Sequence, residues 1–319
     1  MNKKGKSTMA TTNDDSTPPR TTVRIHSTRG DEIDAWEYRP KGNGPHPAVV
    51  MAHGIGAVKA GGLAPFAERF RSEGYVAIVF DYRQWGASTG LPRETLSVPR
   101  QLEDCRTVVR WARAQPDIDE SQIFVWGTSF AGMHVVELAA SDRELAGAIA
   151  QAPLVDGLAA AAMARPPQSI RLLALALADR VGSWFGRPPI YVPGAGEPGT
   201  LAVGATADAL FGESLMTPQD GTAWTNRVAA RSLLSVSVHR PVRRAARIRC
   251  PILLVIAERD SMAPVGPALS VAAKASQGEL YRSKGGHYDV YQGGVSFRAV
   301  LDVEVDFLRR HTEQSSRTN

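Results

Sequence analysis

Cysteine is scarce in this chain: Cys105 and Cys250 are the only two among 319 residues, and they stand far apart. That excludes a disulfide framework and a cysteine-based zinc site. Long apolar runs are missing too. None approaches the ~20 residues that a membrane-spanning helix needs. The N-terminal stretch MNKKGKSTMATTNDDSTPPR has lysines but no apolar segment after them. It therefore reads as a disordered tail (residues 1–20) rather than a signal peptide, and the protein is expected in the cytoplasm. Aromatic residues do not interleave with the basic ones. The formal net charge of +5 is spread over Lys3, Lys4 and Lys6 in the tail, a cluster of Arg240, Arg243, Arg244, Arg247 and Arg249, and scattered arginines. Neither nucleic acid nor a membrane is expected as a partner, and no metal or other cofactor is implied.

What is present is an alternation of strands and helices. Strand patterns occupy 22–28, 31–38, 47–52, 75–80, 123–126, 146–151, 252–256 and 279–282. The first two alternate in polarity around Arg29-Gly30 and read as an antiparallel hairpin. The later ones are short and wholly apolar, as strands buried on both faces of a parallel sheet are. Helical patterns lie between them: GLAPFAERFRSEG, stopping at Gly74; LSVPRQLEDCRTVVRWARAQP, stopping before Pro116; FAGMHVVELAAS; and two late segments, APVGPALSVAAKAS and GVSFRAVLDVEVDFLRRHT. The fold class is α/β with an eight-stranded, mostly parallel sheet flanked by helices. From 155 to 247 the rhythm fails. Ninety-odd residues between two sheet strands are too many for a loop. The segments SIRLLALALADRVGSWFG and TAWTNRVAARSLLSV suggest an inserted helical cap, with 21–154 and 248–314 forming the core.

The stretch VWGTSFAGMHV places Ser129 where a strand becomes a helix. A turn that tight strains its central residue, and bulky side chains two positions away would collide. Gly127 and Ala131 hold those positions. Such an elbow presents the hydroxyl above the sheet edge and turns the N–H of Phe130 toward a developing oxyanion. A serine nucleophile needs a base, and the base an orienting acid, here in the chain order Ser, acid, His. Asp260 follows the strand PILLVI, at the strand end where sites of open α/β sheets gather. His287 follows Gly285-Gly286. Asp156, Glu258 and Asp289 are the alternative acids. A second oxyanion donor is expected in HGIGAVKAGG: the N–H of Ile55 first, Gly54 second, with His53 a structural hydrogen-bonder. That run is not a phosphate loop, since no Gly-Lys-Ser/Thr follows it. Tyr82, in DYRQWGASTG, is a candidate for the substrate wall, although turn chemistry also accounts for it.

With Ser129, Asp260 and His287 in this order, the chain from Thr21 to Thr312 resembles the α/β-hydrolase superfamily. HGIGAVKAGG, FDYRQWGASTG, WGTSFAG and GGHYDVY are similar to a branch of dienelactone-hydrolase-like and peptidase-S15-like proteins. That branch includes esterases, thioesterases and polyketide acyl-transferring enzymes of secondary metabolism. Dienelactone hydrolases proper use cysteine where this chain has Ser129. Haloalkane dehalogenases and epoxide hydrolases use aspartate there. The resemblance implies a serine hydrolase cleaving an ester, lactone or thioester of a sizeable apolar acyl group. The substrate would be a small molecule or carrier-bound. An acyltransferase using the same acyl-enzyme is the first alternative. A non-catalytic binding protein is the second, disfavoured by an intact triad. Leu172, Leu173, Leu175, Leu177, Trp184, Phe185 and Trp224 make the cap strongly apolar, and part of it is expected to roof a pocket above Ser129. A homodimer is left open.

Overall fold

A computed structural model of the chain describes residues 20–27 and 30–316, the last three as backbone only. The N-terminal tail before Arg20, and Arg29 of the expected hairpin turn, lie outside the described residues. The main sheet has eight strands: β1 (Thr21–His26), β2 (Glu32–Tyr38), β3 (His46–Ala52), β4 (Val76–Phe80), β5 (Ile118–Thr128), β6 (Gly147–Gln151), β7 (Ile252–Ala257) and β8 (Gly278–Ser283). Their spatial order is β1-β2-β4-β3-β5-β6-β7-β8. β2 pairs antiparallel with β1 and with β4, and every pairing from β4 through β8 is parallel. The two-residue period of a strand divides the core in two. Val50, Ile78, Val125, Ala148 and Leu254 face one side. Val49, Val79, Trp126, Ile149 and Val255 face the other. The first side is covered by α2 (Val98–Arg113), α3 (Gly132–Ser141) and α8 (Val265–Lys274). The second is covered by α1 (Ala64–Ser72) and α9 (Phe297–Ser316). Both faces being buried explains why the central strands are apolar without alternation.

Between β6 and β7 the chain leaves the sheet. This excursion holds α4 (Gly157–Ala161), α5 (Pro166–Trp184), α6 (Ala209–Met216), α7 (Ser232–Val238) and a 3-10 turn over Pro241–Arg247. Two small strand pairs join them: Tyr191–Val192 with Val228–Ala229, and Ala195–Gly196 with Gly204–Ala205. The helix-like pattern of TAWTNRVAARSLLSV is helical only over Ser232–Val238. Its first half is held extended by competing bonds. Asn226 accepts from the N–H of Ala195 and donates to its carbonyl, both at 2.9 Å, and Val228–Ala229 pair with Tyr191–Val192. No helix among the described residues is long and apolar enough to cross a membrane.

Candidate active site

Ser129 follows the last residue of β5 and opens a 3-10 turn that leads into α3. Its φ is +55°, a left-handed conformation unusual for a residue with a side chain. The neighbours are small for measurable reasons. A Cβ on Gly127 would stand 2.7 Å from Val135 Cγ2 and 3.0 Å from Ala131 Cβ. A Cβ on Gly132 would stand 2.3 Å from Pro153 Cβ, so the glycine one place beyond the usual pattern is required by the β6 loop. Across the turn, a Cβ on Gly54 would lie 3.3 Å from Ser129 Cβ, so the loop after β3 approaches the serine backbone-first. That loop carries Ile55, half-buried against the core.

The structure brings together the three residues that chain order picked out. Ser129 Oγ lies 2.9 Å from His287 Nε2. His287 Nδ1 lies 2.9 and 2.8 Å from the two carboxylate oxygens of Asp260. A carboxylate only accepts, so Nδ1 carries the proton and Nε2 is left to accept from the serine hydroxyl. Asp260 Oδ1 also accepts from the N–H groups of Met262 and Ala263, at 2.8 and 2.7 Å, which fixes the carboxylate. His287 is only 1% exposed. The three alternative acids are employed otherwise. Asp156 caps α4 through Leu158 and Ala159 and is clamped by Arg240; burial opposes its charge, but Arg240 and the two N–H groups hold its carboxyl below the ordinary value. Glu258 points to solvent. Asp289 accepts from Gly286 N–H at 2.7 Å and so braces the histidine loop.

Two supports were not visible in the sequence. Lys59, 2% exposed, donates to Asp34 at 2.5 Å and to Asp81 at 2.6 Å. Asp81 also takes the N–H groups of Lys59 and Ala87. This buried cluster ties the loop of Gly54 and Ile55 to β2 and to the loop after β4. The second support joins the serine and histidine loops. Tyr291 and Thr128 hydroxyls lie 2.6 Å apart, and Gln151 Nε2 donates to Thr128 Oγ1 at 3.1 Å. Tyr82, a candidate for the substrate wall, is fully buried. It packs edge-on against His53 and sends a long 3.4 Å bond to its carbonyl, so it supports the loop from below and presents no surface to a ligand. His53 is buried and bonds the Gly54 carbonyl through Nδ1, and burial lowers its pKa from the ordinary value.

The excursion straddles the site. Ser261, next to Asp260, donates to Asp208. Gly212 of α6 lies so close to Tyr288, next to His287, that a Cβ there would meet the ring at 2.1 Å. On the other flank Trp224 Nε1 donates to the Gly56 carbonyl at 2.7 Å. Beside that contact opens a cavity of about 190 Å³, with Val58, Trp85, Arg93, Glu94 and Trp224 in its wall. Part of the apolar surface of α5 was expected to roof the serine, and most of it to pack against the body. Leu172 is buried against the body, but Leu173, Leu177, Trp184 and Phe185 turn to solvent. The helix has more than one apolar face, and the surplus face points away.

Comparison with known proteins agrees with this fold. A quorum-quenching protein, AidA, of Acinetobacter baumannii is 39% identical over 279 residues, 88% of this chain and 91% of its own. A polyketide transferase, grgF, of a Penicillium species is 30% identical over 301 residues, 93% of this chain and 98% of its own. The crystal structure of the α/β hydrolase GrgF from Penicillium sp. sh18 superposes with a TM-score of 0.78 at 29% identity, covering 92% of this chain and 99% of that one. The family model described as serine aminopeptidase, S33, matches residues 43–290. The sheet order, the elbow and this match together make the chain an enzyme of the α/β-hydrolase fold, and it belongs to the S33 serine aminopeptidase family.

Proposed function

We propose that the protein cleaves an ester, lactone or thioester through an acyl-enzyme on Ser129. The observation that carries this is the unbroken relay Asp260–His287–Ser129, with contacts of 2.8 to 2.9 Å, on a serine held at φ +55°. Ser129 Oγ attacks the acyl carbon while His287 Nε2 takes its proton. Asp260 holds the imidazole tautomer and stabilises the imidazolium. The N–H groups of Phe130 and Ile55, with Gly54 as second choice, receive the oxyanion; each such donor contributes roughly 3 kcal/mol at the transition state. His287 then gives the proton to the leaving group, draws one from water as the water attacks the acyl carbon, and returns it to Ser129 Oγ as the acyl C–O bond to the serine breaks. Trp224, bonded to the carbonyl of Gly56 next to Ile55, forms part of the acyl wall. The substrate class is a sizeable, mostly apolar acyl group of the polyketide type. A relative that quenches quorum signals adds small signal molecules to the candidates.

A second reading is acyl transfer, with an alcohol or amine replacing water. It is favoured by the near-complete burial of His287 beneath the excursion and by the polyketide-transferase relative. One experiment tests both. A fluorophosphonate probe should label Ser129 and no other residue. Esters and thioesters of graded acyl length are then turned over with and without an acceptor. Free acid as the main product supports hydrolysis; a new ester or amide supports transfer. No label at Ser129, or label elsewhere, overturns both.

A further inference from the structure

Helix α5 carries an apolar stripe that no described residue covers. Ile170, Leu173, Leu177, Val181 and Trp184 are 45 to 70% exposed. The helix is well anchored on its other face, where Leu172 and Ala176 are buried and Asp179 takes Arg231 at 2.7 Å. The outer face is thus a second, unsatisfied contact surface.

The stripe can pair with a second copy of itself. Measured from Leu177, the five residues fall at −7, −4, 0, +4 and +7. A stripe with that mirror order superposes on itself when a second helix runs antiparallel across a two-fold axis through Leu177. Ile170 then meets Trp184 of the second copy, Leu173 meets Val181, and Leu177 meets itself. The exposed Arg180 falls opposite Ala174 and Arg171 opposite Ser183, so no arginine of α5 faces another. With Phe185 at the end of the helix, the exposed apolar side chains offer on the order of 700 Å² per copy, close to the ~800 Å² per partner of a standard interface.

We infer that the protein is a homodimer whose two-fold axis passes through Leu177 of α5. The inference is independent of the chemistry at Ser129. Light scattering coupled to gel filtration should give twice 34.3 kDa for the wild type and 34.3 kDa for Leu177→Arg, with unchanged circular dichroism. Cys105 and Cys250 are buried, so introduced thiols report alone. A short bis-maleimide should cross-link Leu177→Cys to itself. Leu173→Cys should cross-link only when mixed with Val181→Cys. A wild-type chain of 34.3 kDa at all concentrations overturns the inference. So does a dimer that survives Leu177→Arg without cross-linking at 177. A monomer that floats with phosphatidylglycerol vesicles assigns the stripe to a lipid surface and overturns it as well.

Discussion

Ser129 should be replaced separately by Ala and by Gly, and the two variants compared for stability. Both delete the hydroxyl and its bond to His287, so that loss cancels between them. What remains is the backbone. At φ +55° an alanine keeps the left-handed conformation with its Cβ penalty, about 1–2 kcal/mol. Glycine adopts it freely but loses more chain entropy on folding, about 0.5–1 kcal/mol. The balance leaves Ser129→Gly more stable than Ser129→Ala by about 1 kcal/mol. For a chain of this size that is roughly 2 °C in Tm. Urea titration and calorimetry of the two variants read the difference directly. Each variant should also lose turnover on the order of a thousandfold or more. If Ser129→Ala equals or exceeds Ser129→Gly in stability, the elbow is not strained in solution. The account of Gly127 and Ala131 would then fall with it.

Asp260→Asn should lower kcat by roughly a thousandfold or more, because the amide favours the wrong imidazole tautomer. Asp156→Asn should instead cost stability through the α4 cap and Arg240, with kcat nearly kept; the reverse pattern in steady-state kinetics would exchange the two roles. Glu304 is wholly buried, with Trp126 Nε1 donating to it at 3.0 Å, and burial raises its pKa to about 8 against that bond. The folded state therefore holds this proton more tightly than the unfolded chain. Stability should fall as pH rises from about 4.5 to about 8. Denaturant midpoints of Glu304→Gln should lack that fall, and identical pH curves for the two proteins would contradict the assignment. Trp224→Phe deletes the bond to the Gly56 carbonyl and keeps an aromatic wall, whereas Trp224→Ala removes both. With an ester series, Ala should flatten the rise of kcat/KM with acyl length, and Phe should preserve it. Equal flattening by both would locate the effect in the Gly56 contact rather than in the wall.

The strands were legible because their burial is two-sided and their length short: VAIVF over Val76–Phe80 can be little else between Gly74 and a turn. The elbow and the order of Ser129, Asp260 and His287 were legible because both follow from local turn geometry and strand ends. The excursion was less so. α6 carries no strong apolar period, and its sequence ALFGESLM was not read as a helix. The segment 222–231 has the composition of a helix, yet Asn226 bonds to Ala195 across 31 positions. Tyr82 was misread for a related reason. Its place in a loop at the active edge is visible in the chain, but its burial beneath His53 depends on packing from β3, β4 and α3 together.

The same limit hid the supports that make the site rigid. Asp34, Lys59 and Asp81 lie on three separate segments, and each alone looks like a solvated surface charge. Assembled, they form a buried cation between two carboxylates, which is tolerable only because both ions pair closely and Asp81 also collects backbone N–H groups. Removing Lys59 would leave the Asp81 carboxylate in the core with backbone N–H groups alone, and removing either aspartate would leave Lys59 one carboxylate where it has two, beneath the loop of Gly54 and Ile55. In the proposed mechanism that loop holds its N–H groups in place for an oxyanion, and a loop braced by a buried ion cluster cannot drift without breaking it. The Tyr291–Thr128–Gln151 network acts likewise, pinning the histidine loop to the residue before Ser129. Three loops from different strands thus meet at one serine, and each is fastened by polar groups whose partners are distant in sequence. The candidate triad can be read from the chain because chemistry restricts the type and order of its members. Their supports cannot, because any pair of opposite charges would serve until the fold brings one pair together.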